Sequence, residues 1–197
     1  NCMIVNNEAS IKAALASGGG LYQAGGTVVN CTIADNTAYA GGGVDVTGGT
    51  FVNNIICNNT AASADATPDY VFADGVTALN CCLPSYAAGV GTDCVYAKSG
   101  EDPYLSDYSI DPGSPCYDKG KDGVCAATLD VFGNERVQGE HIDIGCAEAT
   151  PVSGLTADFE VGATEAVSTD PVTFTASAYG PGVTDENTTF AWTDDRG

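Results

Sequence analysis

The sequence predicts an all-β chain: a solenoid of short parallel strands, a C-terminal cap, and then part of an antiparallel sandwich. Residues 18–38 recur as residues 41–61 at an offset of 23, with 12 of 21 positions identical. A period of this length is typical of solenoids. The copies contain β-branched residues, Gly pairs and Asn without a 3.6-residue apolar period, which predicts strands and tight turns. Residues 155–197 instead show apolar residues at every second position, which is typical of half-buried antiparallel strands.

A third, partial copy opens the chain. NCMIVNNEA at 1–9 matches NCTIADNTA at 30–38, with the offset widened to 29 by the inserted ASIKAALAS stretch. Because Asn1 falls inside a repeat, we expect a leader and further repeats upstream in the full-length protein.

Equivalent positions of the repeats form columns. Ile4, Ile33 and Ile56 occupy one column, and Val29 and Val52 another. Parallel sheets bury such side chains, so both columns are predicted to point into the solenoid.

Two further columns consist of asparagine, namely Asn1, Asn30 and Asn53, and Asn7, Asn36 and Asn59. Identical amides stacked about 4.8 Å apart can hydrogen-bond along the stack, so we expect asparagine ladders. The Gly18–Gly20 and Gly41–Gly43 triplets, like the later Gly pairs, predict corners with positive φ or close backbone approach.

Charge excludes some partners. Six Lys and Arg against 26 Asp and Glu give a formal net charge of −20, which repels nucleic acids and anionic membranes. No stretch approaches 18 uncharged apolar residues, so no transmembrane segment is predicted.

The nine cysteines include no C-x-x-C pair, and His141 is the single histidine, so a zinc site is not expected. Disulfides explain the cysteines better and indicate an extracellular or cell-surface location. We expect Cys82 to pair with Cys94 across a short loop, and Cys116 with Cys125 or Cys146. Cys2 and Cys31 share a column and either pair or stand as stacked free thiols.

Together these residues resemble right-handed parallel β-helix repeat proteins of bacterial secretion. Residues from about 69 to 149 resemble the closing module called choice-of-anchor Q, which implies export rather than a reaction. The matching positions are Asp102, Pro103, Gly113, Ser114, Pro115, Asp118, Gly120, Asp130, Gly133, Asn134, Arg136, Asp143, Ile144, Gly145 and Glu148. Cys146 stands where this module usually has Ala.

The closing segment also has the physical features of a cap. A solenoid ends in unpaired strand edges that need an atypical last turn, and Pro103, Pro112 and Pro115 prevent further ladder pairing. We expect Arg136 to pair with Asp130 or Asp143 as a structural clamp. Residues 1–149 are therefore predicted to form the repeats and cap.

After a linker at 150–154, residues 155–197 resemble a truncated PKD-type, immunoglobulin-like module. Ala157–Phe159, Pro171–Ser177 and Phe190–Gly197 correspond to three of its strands, and Trp192 to its buried tryptophan. At 43 residues this segment is roughly half of a sandwich of about 100 residues.

Candidate chemistry in the repeats is sparse. Tyr22, Tyr39 and Asp45 are the candidate ligand-binding residues, with glycans or cell-surface polymers as partners. Glycosidases need two carboxylates about 5–9.5 Å apart, and Asp35 with Asp45 is only a nominal pair without an accompanying base. We assign no catalytic residue.

No cofactor is expected, and calcium is the one weak candidate. Asp118, Gly120, Asp122 and Gly123 resemble the start of a calcium loop, but Leu129 stands where a bidentate Glu is required. We assign no metal ligand.

Two functions fit these features. The chain is expected to be a non-catalytic structural and display segment of a large secreted or cell-surface bacterial protein, with adhesive contacts to glycans. The alternative is the C-terminal part of a β-helix polysaccharide lyase or glycoside hydrolase whose active repeats precede Asn1.

Overall fold

The computed structural model describes residues 1–9, 16–98 and 101–151, and the backbone of two later strands. It divides into two compact units, Asn1–Thr150 and Pro151–Gly197. The strands of the first unit are two or three residues long, because turn-forming Gly, Asn and Asp residues interrupt each apolar run.

The first unit contains β1 (Met3–Val5), β2 (Leu21–Gln23), β3 (Thr27–Val29), β4 (Thr32–Ala34), β5 (Thr37–Ala38), β6 (Val44–Val46), β7 (Thr50–Val52), β8 (Ile55–Cys57), β9 (Thr60–Ala61), β10 (Tyr70–Phe72), β11 (Thr77–Leu79), β12 (Cys82–Pro84) and β13 (Val95–Ala97). A 3₁₀ turn, Ser85–Ala87, follows β12. Among the described residues no helix has the length and apolarity to cross a membrane.

These strands form parallel sheets stacked by repeat. Sheet 1 has the order β1-β4-β8-β12-β13, sheet 2 the order β2-β6-β10, sheet 3 the order β3-β7-β11, and sheet 4 pairs β5 with β9. The chain enters the sheets in turn and returns to each one repeat later. Thr32 accordingly pairs with Ile55, and Thr27 with Thr50. This arrangement is compatible with a parallel β-helix.

The isoleucine column is confirmed. Ile4 pairs with Ile33 and Ile33 with Ile56 in sheet 1. Ile33 and Ile56 are fully buried, and Leu83 and Tyr96 continue their cluster on β12 and β13. This inner cluster is the main apolar core of the first unit.

The valine column differs from its prediction. Val29 does pair with Val52, but the residues of sheet 3 that pack in the inner cluster are their neighbours Val28, Phe51 and Ala78. Successive side chains on a strand point to opposite faces, so only one of the two columns can enter the cluster. Val52 is nevertheless buried, outside that cluster.

The glycine triplets lie at corners, as predicted. Gly18 and Gly41 have positive φ values of 71° and 51°. A Cβ on Gly42 would clash with the backbone of Thr60, so the neighbouring repeats can approach this closely only at glycine.

One asparagine ladder is confirmed in full. Asn7 Nδ2 donates to Asn36 Oδ1 at 2.9 Å, and Asn36 Nδ2 donates to Asn59 Oδ1 at 3.0 Å. In the other column, Asn30 and Asn53 adopt left-handed conformations, and their amides are 3.5 Å apart. The main role of that column is therefore to form turns, and its amide contact is longer than those of the ladder.

Residues 101–149, which we call the tail segment, lie along the outer face of sheet 1. Cys146 N–H donates to Thr32 Oγ1 at 3.1 Å, and Gly145 N–H donates to Asn53 O at 2.9 Å. Its apolar residues pack on the outward side chains of the sheet in a second cluster, which contains Ala34, Ile55, Cys57, Cys82, Ala97, Tyr104, Ile110, Cys116, Ile144 and Ala149. Sheet 1 is therefore covered on both faces.

This placement differs from a cap over the end of the stack. Tyr108 Oη lies 3.0 Å from Asn6 Nδ2, beside the first strand, whereas Tyr104 Oη accepts from Asn58 Nδ2 at 2.9 Å beside the third. The tail segment thus runs across several repeats. Its turns provide the polar groups that bond to the turns of the sheet.

In the second unit, β14 (Thr156–Val161) pairs antiparallel with β15 (Phe174–Tyr179). Their register sets Phe159 opposite Ala176. The rest of the expected sandwich, including Phe190–Gly197 and Trp192, lies outside the described residues. The immunoglobulin-like assignment stays a prediction.

Candidate functional site

The predicted ligand-binding residues Tyr22 and Asp45 lie side by side on sheet 2. They are register partners on β2 and β6. Their strand neighbours Val44 and Val46 belong to the inner cluster, so the alternating geometry of a strand turns Tyr22 and Asp45 to the outer face. The Tyr22 side chain is 59% exposed, and its hydroxyl lies 3.3 Å from Thr47 Oγ1.

The other candidates of the repeats lie elsewhere. Tyr39 follows β5 at the corner before Gly41 and is half-buried, and no described hydrogen bond joins its side chain to Tyr22 or Asp45. Asp35 occupies the turn after β4 and accepts a hydrogen bond from Tyr108 Oη at 2.7 Å. Asp35 therefore helps to attach the tail segment and forms no carboxylate pair with Asp45 on β6.

A group of four buried charged residues lies inside the tail segment and consists of Asp130, Arg136, Asp143 and Glu148, which we call the Arg136 cluster. All four side chains are buried, with exposures of 2–6%. Arg136 Nη2 lies 3.2 Å from Glu148 Oε1 and donates to Gly145 O at 3.2 Å. The ion-pair partner of Arg136 is thus Glu148, and the expected pairing with Asp130 or Asp143 is wrong.

The carboxylates of this cluster accept backbone N–H groups instead. Asp143 Oδ2 accepts from Ala149 N–H at 2.7 Å, and Glu148 Oε2 accepts from Asp143 N–H at 3.1 Å. Asp130 Oδ2 accepts from Glu148 N–H at 2.9 Å. These bonds connect three separate turns of the tail segment, which explains why polar groups are buried there.

Burial is the main cause of a raised pKa in two of these carboxyls, Glu148 and Asp143. It raises the pKa of Glu148 to about 8, with a further increase from the charge of Asp143 and an opposing effect of Arg136. Burial likewise raises the pKa of Asp143 to about 6. Burial also opposes ionisation of Asp130, but hydrogen bonds from Glu148, Asn134 and Phe132 outweigh it and lower the Asp130 pKa. A raised carboxyl pKa is a feature of general acids, but the four side chains of this cluster are buried.

An open depression of about 450 Å³ lies beside the candidate calcium loop and is lined by Asn80, Asp93, Asp118, Lys119, Gly120, Lys121, Asp122 and His141. Asp118 Oδ1 accepts from His141 N–H at 3.0 Å, and Asp122 Oδ2 lies 2.9 Å from the His141 ring. This contact lowers the pKa of Asp122 and raises that of His141. The carboxylates of Asp118 and Asp122 thus both contact His141 of the same segment. Among the described residues, no group of three or more acidic, His or Cys side chains is arranged to hold a metal ion.

The nine cysteines are all free thiols in the structure. Cys82 does not pair with Cys94 because Cys82 belongs to the outer cluster whereas Cys94 packs against the inner one. Cys116 contacts Cys82 rather than Cys125 or Cys146. Cys2 and Cys31 are unpaired as well.

The column predicted from Cys2 and Cys31 continues through three more residues, Asn54, Cys81 and Cys94. Cys31 N–H donates to Asn54 Oδ1 at 2.8 Å, Asn54 N–H to Cys81 Sγ at 3.5 Å, and Cys81 N–H to Cys94 Sγ at 3.4 Å. Each residue directly precedes a strand of sheet 1. The signal was present in the sequence, because an Asn or Asp precedes every one of them.

No family model, curated protein or solved structure matches this chain. Its likeness to choice-of-anchor Q and PKD modules therefore stays a prediction from the residues quoted above. What the chain does has to be inferred from its own side chains.

Proposed function

We propose that the chain is a non-catalytic structural and display segment of a large secreted or cell-surface bacterial protein. In this proposal the parallel sheets belong to a right-handed parallel β-helix, and the tail segment stiffens it by covering sheet 1. The second unit is a PKD-like module that extends the same protein.

The single observation in favour of this role is the burial of the Arg136 cluster. Its four charged side chains are at most 6% exposed, and they bond to backbone groups, to each other and to the Asn1 and Asn134 side chains. A catalytic acid or base must reach a substrate atom within hydrogen-bond distance. These groups instead fix turns of the tail segment to one another.

The outer face of sheet 2 is the proposed contact surface for neutral glycans. Tyr22 offers an exposed ring for stacking on a sugar, and Asp45 beside it offers carboxylate acceptors for sugar hydroxyls. The net charge of −20 disfavours anionic polymers on the same face.

The test uses the purified full chain on an array of neutral and acidic glycans, together with a turnover assay on pectin and alginate with and without calcium. We expect weak binding of neutral glycans, lost in Tyr22→Ala and retained in Phe132→Ala, which removes another exposed aromatic ring, in the tail segment. We expect no turnover. Turnover of a uronate polymer that is lost in Asp45→Ala would refute the proposal in favour of the lyase or hydrolase alternative.

A further inference from the structure

Two thiols from successive strands meet on the inner side of sheet 1. Cys81 directly precedes β12 and Cys94 directly precedes β13, and the next residues, Cys82 and Val95, are register partners. Cys81 and Cys94 therefore lie opposite each other on neighbouring parallel strands. Such strands are about 4.8 Å apart, within the 4.4–6.8 Å range of Cα separations in disulfides.

Their side chains lie on the same side of the sheet. Both pack in the inner cluster, and Cys81 N–H donates to Cys94 Sγ at 3.4 Å. The two thiols are close enough to share a hydrogen bond. The strands that follow them, β12 and β13, are neighbours in sheet 1, so no other strand separates the two cysteines.

The two thiols also differ in solvent exposure and in pKa. Cys81 is fully buried, whereas Cys94 is half-buried and open to a small reagent. Burial raises the pKa of Cys81, and a hydrogen bond from the Cys81 thiol lowers the pKa of Cys94 to about 7. Thiolate is the reactive form in disulfide exchange, so Cys94 is suited to react first.

We propose that Cys81 and Cys94 form a disulfide by exchange with a small-molecule disulfide such as oxidised glutathione. The Cys94 thiolate attacks one glutathione sulfur, the glutathione S–S bond breaks, and one glutathione thiolate leaves. The Cys81 sulfur then attacks Cys94 Sγ in the mixed disulfide and displaces the second glutathione. The two protein thiols lose two electrons and two protons, which appear on the two molecules of reduced glutathione.

This cross-link joins β12 to β13, the last strand of sheet 1. It goes beyond the proposed function and does not depend on it. The thiols of Cys57, Cys82 and Cys116 are buried under the tail segment on the opposite face, so they are expected to stay reduced under the same conditions.

The experiment incubates the folded full chain with oxidised glutathione, blocks free thiols, and digests without reduction using a protease that cleaves before aspartate. Cleavage at Asp74, Asp93 and Asp102 separates Cys81 and Cys82, in peptide 74–92, from Cys94, in peptide 93–101. We expect these peptides to be joined in the wild type and in Cys82→Ser. In Cys81→Ser the link is lost, and Cys94 retains one glutathione.

Circular dichroism identifies variants that fail to fold, and Cys81→Ala provides a second substitution at the buried position. Cys125→Ser, which removes a half-buried thiol of the tail segment, is the matched control and should retain the link. Separate peptides in the oxidised wild type, or a link that is lost in Cys82→Ser and retained in Cys81→Ser, would overturn the proposal.

Discussion

Asp69 Oδ1 accepts the side-chain amide of Asn59 at 2.9 Å, and this bond ends the asparagine ladder. The same oxygen accepts Asn59 N–H at 2.7 Å, and Asp69 Oδ2 accepts from Tyr86 Oη at 2.7 Å. A ladder of identical amides leaves an unpaired donor at its last member. Asp69, which is 4% exposed, supplies the missing acceptor.

Replacing this acceptor should cost stability. We expect Asp69→Ala to lower the free energy of unfolding by about 1–3 kcal/mol, because it leaves the buried backbone N–H of Asn59 without its acceptor and removes one acceptor of the Asn59 side-chain amide. Asp69→Asn retains an acceptor oxygen and should cost less. Asp65→Ala, at an exposed position of the same loop, is the control and should change little in urea unfolding.

The isoleucine column should be intolerant of charge. We expect Ile33→Asp to abolish folding because it places an unpaired carboxylate in the inner cluster. Ile33→Ala should fold and lose about 2–5 kcal/mol. Thr27→Asp, on an exposed position of β3, should retain the wild-type circular dichroism and urea midpoint. A soluble, cooperatively folded Ile33→Asp would contradict the assignment of this column to the core.

The repeat explains which parts of this fold could be predicted from the sequence. The offset of 23, widened to 29 for the first partial copy, brings residues of identical type into register. The isoleucine stack and the Asn7–Asn36–Asn59 ladder could therefore be predicted. Asp69 could not, because the chain between β9 and β10 breaks the offset. The strands are also too short to show a period of two, which concealed whether Val28 or Val29 faces the inner cluster and whether Cys81 or Cys82 faces Cys94.

The site was less predictable for a different reason. The tail segment is made mainly of turns whose contacts are long-range and aperiodic, so spacing could not show that Arg136 pairs with Glu148. Nor could it show that Tyr108 reaches Asp35, which lies 73 residues away. The proximity of Tyr22 and Asp45 could be predicted, because they occupy equivalent positions of successive repeats.

Above about pH 8, where the Glu148 carboxyl is ionised despite its raised pKa, the Arg136–Glu148 pair should behave as a buried ion pair. We expect Arg136→Met to cost about 3–5 kcal/mol, because it leaves a buried carboxylate without its partner. The double variant Arg136→Met, Glu148→Gln should recover part of this loss. A double-mutant cycle in urea that shows additive losses would contradict the pairing.

Stability should fall as the pH rises through the titration of Glu148. The pKa of Glu148 is raised to about 8 in the folded chain, so between about pH 5 and pH 8 the folded state binds more protons than the unfolded one. The melting temperature is therefore expected to decrease over this window. The decrease should be smaller in Glu148→Gln, which cannot titrate, and unchanged in Glu135→Gln. An identical pH dependence in Glu148→Gln would contradict the raised pKa.

The measurement that tests the structural account most directly is native-state hydrogen exchange of two backbone amides. Gly145 N–H of the tail segment donates to Asn53 O, and Ile55 N–H of sheet 1 donates to Cys31 O, both at 2.9 Å. If the tail segment and the sheets form one structural unit, both amides should open with the same free energy, so their protection factors agree within about tenfold. Exchange of Gly145 that is orders of magnitude faster than that of Ile55 would show that the tail segment detaches by itself and would contradict the account.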